Sequence, residues 1–348
     1  MKYSSVCIDA VSHVLPPKVV SSEELEQWLE PLYRRLRLPH GRLELMTGIR
    51  ERRFWAPGTR PSDVAAQAGR RALELADSGP DRVDCLLHCG VSRDAVEPAT
   101  STEVHRQLGI PPHALNFDLS NACLGVLSGM LMVAGMIELG QITCGLVVTG
   151  EDSRPLVENT VRELNENPAF TRQSIKSHFA SLSIGSAAAA VLLAHESISS
   201  TGHRLLGGAS WCDTSHNSLC RGGEEGTVAV GGGPLMATDS EELLVRGVDV
   251  ARHTWRQVEQ ALGWTPDTPD LVCTHQVGKA HTARLFDALG LDTSKNFATF
   301  PYLGNCGSAS VPATAAIAAE QGALEPGDRL ALLGIGSGIN CTMLGVEW

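Results

Sequence analysis

The sequence lacks an excess of positive charge. It contains 28 Lys and Arg against 39 Asp and Glu, which gives a formal net charge of −11. Only the short stretches RLRLPHGR and IRERR concentrate basic residues. A protein that binds the phosphate backbone needs a positively charged surface, so the composition argues against nucleic acid as a partner.

Long uninterrupted apolar runs are also missing. The longest run, 122–138, contains three glycines and one serine, and it is shorter than the roughly 20 residues that cross a bilayer. The start of the chain has no charged segment followed by an apolar stretch, as a signal peptide would have. We therefore expect a cytoplasmic protein with no membrane span.

The ten cysteines include no CxxC pair, and most lie in apolar segments, where a thiol packs well. The spacings CLLHC (85–89) and CDTSHNSLC (212–220) lack a second ligand pair that would close a tetrahedral metal site. We expect reduced thiols and no bound metal.

What the sequence does contain is a series of strand-like segments that alternate with helical patterns. Most of the strand-like segments are continuously apolar, which is typical of strands covered by helices on both faces. Several helical patterns end in Gly, a common helix stop. The fold is therefore predicted to be α/β, with strands at SVCIDAVSHVL, VDCLLHCGVS, LNFDLS, CGLVVTGED, AAAAVLLAHES, HRLLGGASW, LVCTHQV, NFATF, RLALLGIGS and NCTMLGVEW.

The two halves of the chain end alike. Each closes on a strand, a turn with Gly and Ser, and a further apolar strand. This weak internal symmetry predicts a duplicated unit, which we divide into an N-terminal half at 1–198 and a C-terminal half at 199–348. The Gly-rich segment at 221–233 is interpreted as a connector, because it lacks the GK[ST] ending of a phosphate-binding loop.

Cys123 follows the strand-like segment LNFDLSNA and opens a helical pattern. Backbone amides and the helix dipole at such an end stabilise a thiolate, so we expect a lowered pKa for this thiol. By itself, the position also fits a thiol that only packs in the core.

Three further segments have polar groups at strand ends or in turns, as the Cys123 segment has. His275 follows the apolar segment LVCT, and strand ends of α/β proteins commonly face a cleft. Asn305 lies in a Gly-flanked turn before a helical pattern. The segment LLGIGSGIN (332–340) ends in a glycine-rich turn whose amides could face an oxyanion. Each feature alone also has an ordinary structural explanation.

Together, these motifs resemble the thiolase superfamily and, within it, the ketoacyl-ACP synthase III branch. The order is NAC, HQ, GNxGxASVP and a terminal GxGSGxN, with TGIRERR at 47–53. The resemblance covers essentially the whole chain. It implies the thiolase fold, in which two duplicated βαβαβαββ halves form a five-layered αβαβα core.

The resemblance also implies a role for each residue. Cys123 becomes the nucleophile that accepts an acyl group, while His275 and Asn305 become donors that hold a thioester carbonyl as it gains enolate character. The backbone amides of Cys123 and Ser337 line the oxyanion hole. A thiolate suits this chemistry because the acylated enzyme is still a thioester.

Glu97 marks a departure from chain-starting synthases, which have a Phe in the segment that matches GVSRDAVEPATST (90–102). With VSRDxxEP and GIGSGxNC, this glutamate looks like the OleA family, which joins two acyl-CoA molecules head to head in long-chain olefin biosynthesis. The resemblance implies a homodimer in which Glu97 enters the partner's acyl pocket and removes an α-proton. Malonyl-dependent synthases avoid that step by decarboxylation.

The nucleotide end of the substrate site departs as well. Chain-starting synthases clamp the adenine with a Trp and an Arg just before TGIRERR, where this chain has Arg42 and Met46. The remaining candidate substrate contacts are Arg50, Arg52, Arg53 and Gln276.

The resemblance thus implies an enzyme that condenses two fatty acyl-CoA molecules to a 2-alkyl-3-keto acid, with no cofactor besides the CoA of the substrate. Its downstream partners would be further enzymes of a hydrocarbon pathway. Three alternatives stay open: a synthase III that uses malonyl-ACP, an acyltransferase that makes an ester or amide, and a non-catalytic subunit of a heterodimer. A non-catalytic subunit would be expected to lack the nucleophile or the base, and this chain has both.

Overall fold

The computed structural model describes residues 1–222 and 235–348. The connector predicted at 221–233 therefore lies outside the described residues, except for its first two positions. Within the described ranges, nine strands form one mixed sheet with helices on both faces, which confirms the predicted α/β class.

The helices and strands have the following bounds. The strands are β1 (Val6–Val14), β2 (Lys18–Ser21), β3 (Glu51–Phe54), β4 (Cys85–Cys89), β5 (Leu115–Leu119), β6 (Cys144–Glu151), β7 (Ala187–His195), β8 (Arg204–Cys212), β9 (Cys220–Gly222), β10 (Met236–Thr238), β11 (Leu271–Thr274), β12 (Arg329–Gly336) and β13 (Asn340–Glu347). The helices are α1 (Ser22–Trp28), α2 (Glu30–Leu36), α3 (Arg42–Thr47), α4 (Pro61–Leu75), α5 (Thr100–Leu108), α6 (Gly125–Glu138), α7 (Arg154–Glu166), α8 (Lys176–Phe179), α9 (Ser240–Leu262), α10 (Lys279–Leu289), α11 (Phe300–Leu303) and α12 (Ser310–Glu320).

The order of strands repeats on the two sides of the large sheet. From the centre outward, the N-terminal side runs β1, β7, β6, β4 and β5, and the C-terminal side runs β8, β13, β12 and β11. On each side the last strand of the half, β7 or β13, is antiparallel to both of its neighbours. This repeat is the duplication of the thiolase fold. The division at residues 198 and 199 stays a prediction.

The strand predicted at NFATF (296–300) is not formed. A single bridge joins Asn296 to Val272 of β11, and α11 begins at Phe300. The side-chain oxygen of Gln276 accepts hydrogen bonds from the backbone amides of Thr299 and Phe300, each at 3.0 Å. Because these amides already donate to Gln276, they do not form the hydrogen bonds of a strand ladder.

Helices α6 and α12 form the central layer of the molecule. Helix α6 contacts β6, β7 and β13, and α12 contacts β1, β7, β11 and β12, so both touch strands of both halves. Their sequences are apolar nearly all round, as expected for helices that are covered on every side. Helices α4 and α5 cover the outer face of the N-terminal strands, and α9 and α10 cover that of the C-terminal strands. The N-terminal and the C-terminal strands of the sheet thus form two β layers on either side of α6 and α12, which gives the predicted five-layered αβαβα core.

None of the helices within the described ranges is long and apolar enough to cross a membrane.

Truncating a side chain in the central layer should be costly. Leu127 of α6 is 2% exposed and belongs to the main hydrophobic cluster. Leu127→Ala is expected to lower the free energy of unfolding by about 2–5 kcal/mol, since it leaves a cavity, and urea unfolding measures this loss. Leu139 at the end of the same helix is 75% exposed, so Leu139→Ala should cost less than about 0.5 kcal/mol. Equal losses would contradict the central position of α6.

Candidate active site

Cys123 lies in a tight turn between β5 and α6. The amides of Leu124 and Gly125 donate to the carbonyls of Asn121 and Ala122, at 2.9 and 3.3 Å. Ala122 has a φ of 45°, in the left-handed region that residues with a side chain rarely adopt. The first residue of α6 is Gly125, so Cys123 precedes the helix by two positions and does not open it as expected.

The surroundings of Cys123 raise the pKa of its thiol to about 12. Burial is the largest cause, because it removes water from the thiolate, and the negative charge of Glu151 adds to it. The expectation of a lowered pKa from the helix dipole is therefore wrong. At neutral pH the free protein holds this thiol protonated.

His275 directly follows β11 and is 8% exposed. Its amide donates to the carbonyl of Leu333 on the neighbouring strand β12, at 2.8 Å. Burial lowers the pKa of the imidazole to about 4, and the nearby His281 contributes. Its Nδ1 is buried and has no hydrogen-bond partner among the described residues. A neutral imidazole has one N–H, so His275 can donate a hydrogen bond to an oxygen without carrying a charge.

Asn305 lies between α11 and a short 3-10 helix, Gly307–Ala309. Its backbone is fixed by hydrogen bonds with Ser183 and Gly185, both 2.9 Å long. Its side-chain oxygen accepts a hydrogen bond from the amide of Gly307 at 3.0 Å. With that oxygen engaged, the Nδ2 group is the part of the side chain that remains to donate to a ligand.

Two sets of contacts bring these turns to one place. The hydroxyl of Ser308, three residues after Asn305, donates to the carbonyl of Ala122 at 2.6 Å. Strand β12 lies beside β11, whose end carries the histidine, and β12 ends at Gly336. A Cβ added to Gly336 would lie 3.4 Å from the amide nitrogen of Cys123. The nucleophile turn is therefore in contact with the asparagine turn on one side and with β12 on the other.

Ser337 follows β12 and is linked to the Cys123 turn through the side chain of Asn340. The side-chain amide of Asn340 donates to the carbonyl of Ser337 at 3.3 Å and to the side-chain oxygen of Asn121 at 3.2 Å. The amides of Cys123 and Ser337 thus belong to neighbouring turns that one side chain connects. Their joint use as an oxyanion hole stays a prediction.

Glu97 is exposed in the loop between β4 and α5, beside Val96, which is 96% exposed. Within the described part of the chain, no hydrogen bond or ion pair connects Glu97 to the Cys123 turn. A single chain thus presents this carboxylate outward, and its role as the base of a partner subunit stays a prediction.

Comparison with known proteins decides the family. Residues 259–348 match the family described as 3-oxoacyl-[acyl-carrier-protein] synthase III C terminal. The whole chain is 42% identical to the acyl-CoA:acyl-CoA alkyltransferase of Shewanella oneidensis, with 100% of both chains covered. The chain belongs to the acyl-CoA:acyl-CoA alkyltransferase family.

Two further similarities support membership of this family. The acyl-CoA:acyl-CoA alkyltransferase of Xanthomonas campestris is 36% identical, again over 100% of both chains. A crystal structure of a cysteine-to-serine variant of Xanthomonas campestris OleA, with bound lauric acid and lauroyl-CoA, has a TM-score of 0.93, 36% identity and coverage of 99% of this chain and 100% of that chain. These similarities confirm the predicted OleA-like family and its thiolase fold.

The ketoacyl-ACP synthase III branch is a more distant relative of this alkyltransferase family member. A beta-ketoacyl-[acyl-carrier-protein] synthase III of Streptomyces coelicolor is 28% identical, over 96% of this chain and 94% of the relative.

The candidate substrate contacts of this alkyltransferase family member differ in exposure. Arg50 is exposed and Arg53 is half-buried. Arg52 is completely buried and donates two hydrogen bonds of 3.1 Å, to a serine hydroxyl and a main-chain carbonyl. Burial lowers its pKa to about 10. Gln276 is 1% exposed and its amide is occupied by the main-chain contacts described above. Arg52 and Gln276 therefore have packing roles. Substrate contact by any of the four candidate residues stays a prediction.

The two cysteine spacings that resemble metal sites lie in different places. CLLHC forms the buried strand β4, whereas Cys212 ends β8 and Cys220 begins β9. Within the described ranges, no three His, Cys, Asp or Glu side chains are grouped so that they could hold a metal ion. The absence of a metal stays a prediction.

Glu151, the last residue of β6, is not among the residues that the sequence motifs indicate. It is 5% exposed, and its carboxylate accepts hydrogen bonds from the amides of Val91 and Ser92, both at 3.0 Å, and of Ser308 at 3.2 Å. The available signal was a charged residue at the end of the apolar strand in VVTGED.

Alkylation of Cys123 should report its raised pKa. Because only the thiolate reacts, we expect the rate with iodoacetamide to rise about tenfold per pH unit from pH 7 to pH 10. Mass spectrometry of peptides measures this rate, with the exposed Cys212 as an internal reference for reagent activity. A rate that levels off below pH 9 would contradict the raised pKa.

The lowered pKa of His275 should make stability depend on pH. Its folded pKa is about 4 against an ordinary value of 6.5, so between these values the unfolded state binds more protons and stability falls as the pH is lowered. His275→Asn removes this contribution. The free energy of unfolding in urea should therefore fall less between pH 7 and pH 4.5 in the variant than in the wild type, and equal decreases would refute the assignment.

Proposed function

We propose that this protein condenses two fatty acyl-CoA molecules head to head and releases a long-chain 2-alkyl-3-keto acid. The observation that carries the proposal is the 42% identity, over the full length, to an acyl-CoA:acyl-CoA alkyltransferase. The related OleA structure with bound lauric acid and lauroyl-CoA supports acyl-CoA as the substrate class. The lower identity of 28% to a synthase III makes malonyl-ACP the weaker candidate.

The first step loads one acyl group onto the protein. The sulfur of Cys123 attacks the acyl carbonyl, the bond from that carbon to the CoA sulfur breaks, and CoA leaves as its thiol. The proton that the thiol of Cys123 loses balances the one that CoA gains. Because the free thiol is protonated, this proton transfer belongs to the acylation step and does not precede substrate binding.

The second step forms the carbon–carbon bond. Glu97 of the partner subunit removes an α-proton from one acyl chain, and the resulting carbanion attacks the thioester carbonyl of the other. The carbon–sulfur bond of the attacked thioester breaks, and its sulfur leaves as a thiolate that takes up the proton from Glu97. His275 and Asn305 donate hydrogen bonds to the oxygen that becomes negative. Hydrolysis of the remaining thioester gives the acid, so two acyl-CoA and one water yield one β-keto acid and two CoA.

The surface around Glu97 supports a homodimer. Strand β5 is the outer edge of the sheet, and its Leu115 and Phe117 are 47% and 36% exposed. Val91 and Val96 in the adjacent loop are 59% and 96% exposed. A second copy placed against this edge would cover these apolar side chains and bring each Glu97 loop to the other subunit.

We place the enzyme in the cytoplasm, which agrees with its ten free cysteines. The reaction needs no cofactor, because CoA arrives as the activating group of the substrate. The β-keto acid would pass to downstream enzymes of a hydrocarbon pathway that reduce it, close a β-lactone and decarboxylate it.

The reaction is tested with one saturated acyl-CoA of n carbons and no malonyl donor. We expect a ketone of 2n − 1 carbons in mass spectrometry, since the β-keto acid loses CO₂. Cys123→Ala and Glu97→Gln should each lower its yield by about a hundredfold or more, whereas Glu74→Gln, on the exposed face of α4, should not change it. A product that forms only when malonyl-ACP is added would support the synthase III alternative.

The exchange of Glu97 between subunits has its own test. Co-expressed Cys123→Ala and Glu97→Gln chains give mixed dimers in which one site combines an intact thiol with an intact carboxylate. If Glu97 acts across the interface, the mixture should recover about a quarter of the wild-type activity, because half of the dimers are mixed and each has one complete site. If it acts within its own chain, the mixture stays inactive.

A further inference from the structure

A buried carboxylate outside the proposed chemistry contacts the turns that carry that chemistry. Glu151 is 5% exposed. Its Oε1 accepts from the amides of Val91 and Ser308, at 3.0 and 3.2 Å, and its Oε2 accepts from the amide of Ser92 at 3.0 Å. Backbone amides of two distant segments thus compensate this buried charge, and each would lose its acceptor if the carboxylate were removed.

Two of these amides, those of Val91 and Ser92, lie at the start of the loop that carries Glu97. Val91 and Ser92 follow β4 closely, and Asp94 further along accepts a hydrogen bond of 2.9 Å from the amide of an α4 serine. These contacts fix the base of the loop and leave 95–98 exposed. These hydrogen bonds therefore set the position from which Glu97 projects. Two of them are the bonds from the amides of Val91 and Ser92 to the carboxylate of Glu151.

The third amide belongs to the turn of Asn305. Ser308 donates its amide to the carboxylate and its hydroxyl to the carbonyl of Ala122, next to Cys123. Gly307 lies against the same carboxylate, since an added Cβ would be 3.3 Å from the Cδ of Glu151. Glu151 thus contacts the loop of the base and the turn of the donor directly, and it is linked to the turn of the nucleophile through Ser308.

The negative charge of this carboxylate also acts on neighbouring titratable groups. It raises the pKa of Cys123 and of Cys306, in both cases after burial, and it partly offsets the lowering of the pKa of His88 by burial. Cys220 of β9 is the other group that raises the pKa of Cys123. The thiol of Cys123 should therefore respond to removal of this charge.

We propose that Glu151 is a positioning residue that holds the Glu97 loop and the Asn305 turn at the distance from Cys123 that condensation requires. The proposal rests on the proposed function, because an anchored base is needed only if Glu97 acts as one. The side chain of Glu151 has two separate effects, one through its hydrogen bonds and one through its charge. Its hydrogen bonds hold the geometry, and its charge adds to the effect of burial in raising the pKa of the Cys123 thiol.

Two substitutions distinguish these effects. Glu151→Gln keeps the size of the side chain but removes the charge and at least one acceptor. We expect its ketone yield to fall about tenfold or more, while alkylation of Cys123 by iodoacetamide at pH 8 becomes at least about threefold faster. Glu151→Asp keeps the charge but is one methylene shorter. Its ketone yield should fall similarly, while alkylation stays within about twofold of the wild type.

Glu158→Gln is the matched control, because it removes the same charge from an exposed position on the following helix, α7. Both readouts should stay at wild-type values in this variant. Thermal unfolding of each protein shows how much stability is lost. Wild-type ketone yields in both Glu151 variants would overturn the proposal. It would also be overturned if alkylation and condensation fell together with the melting temperature, which indicates only a structural role. If the Gln variant does not fold, the yield of the Asp variant decides.

Failure of the proposed function gives a different result. Alkylation needs no acyl-CoA, so it can be measured even if the wild type makes ketone only with malonyl-ACP. In that case Glu97 is not a base, and the positioning proposal falls together with the proposed function. Alkylation then reports only the effect of the Glu151 charge on Cys123, which Glu151→Gln should still make faster.

Discussion

Burial of α6 and α12 in one apolar cluster is the constraint on which the site depends. The cluster contains Leu127 and Met130 of α6 together with Val311 and Ala315 of α12. The Cys123 turn leads directly into the first of these helices, and the turn with Asn305 leads into the second. Fixing two helices in the core therefore fixes the positions of two turns at their N-terminal ends, without any direct bond between the reacting side chains.

The same burial determines the electrostatics of the site. Both the thiol of Cys123 and the imidazole of His275 are kept neutral, because neither ion is well solvated in the interior. The neutral imidazole of His275 can donate a hydrogen bond to an oxygen as it becomes negative, and such a donor is more effective in a site from which water is excluded. The nearby carboxylate of Glu151 is bound by backbone amides.

Much of this could be predicted from the sequence, for identifiable reasons. Strands with continuous apolar residues and helices that end in Gly have local signals, and the family motifs pointed to Cys123, His275 and Asn305. The failures depended on contacts distant in sequence. The strand expected at 296–300 is prevented by the side chain of Gln276, and the thiol pKa is governed by burial and by a carboxylate 28 residues away, not by the helix that follows. The proposed action of Glu97 across a dimer interface depends on contacts that a single chain does not show.

The protonated state of the free thiol also affects how long the enzyme survives between reactions. Peroxides and disulfides attack thiolates far faster than thiols, and a cysteine that is ionised at rest needs a reductant to repair it. Burial and the charge of Glu151 raise the pKa of Cys123 to about 12, so little of its thiol is ionised at neutral pH. The same surroundings therefore also protect it from oxidation between reactions.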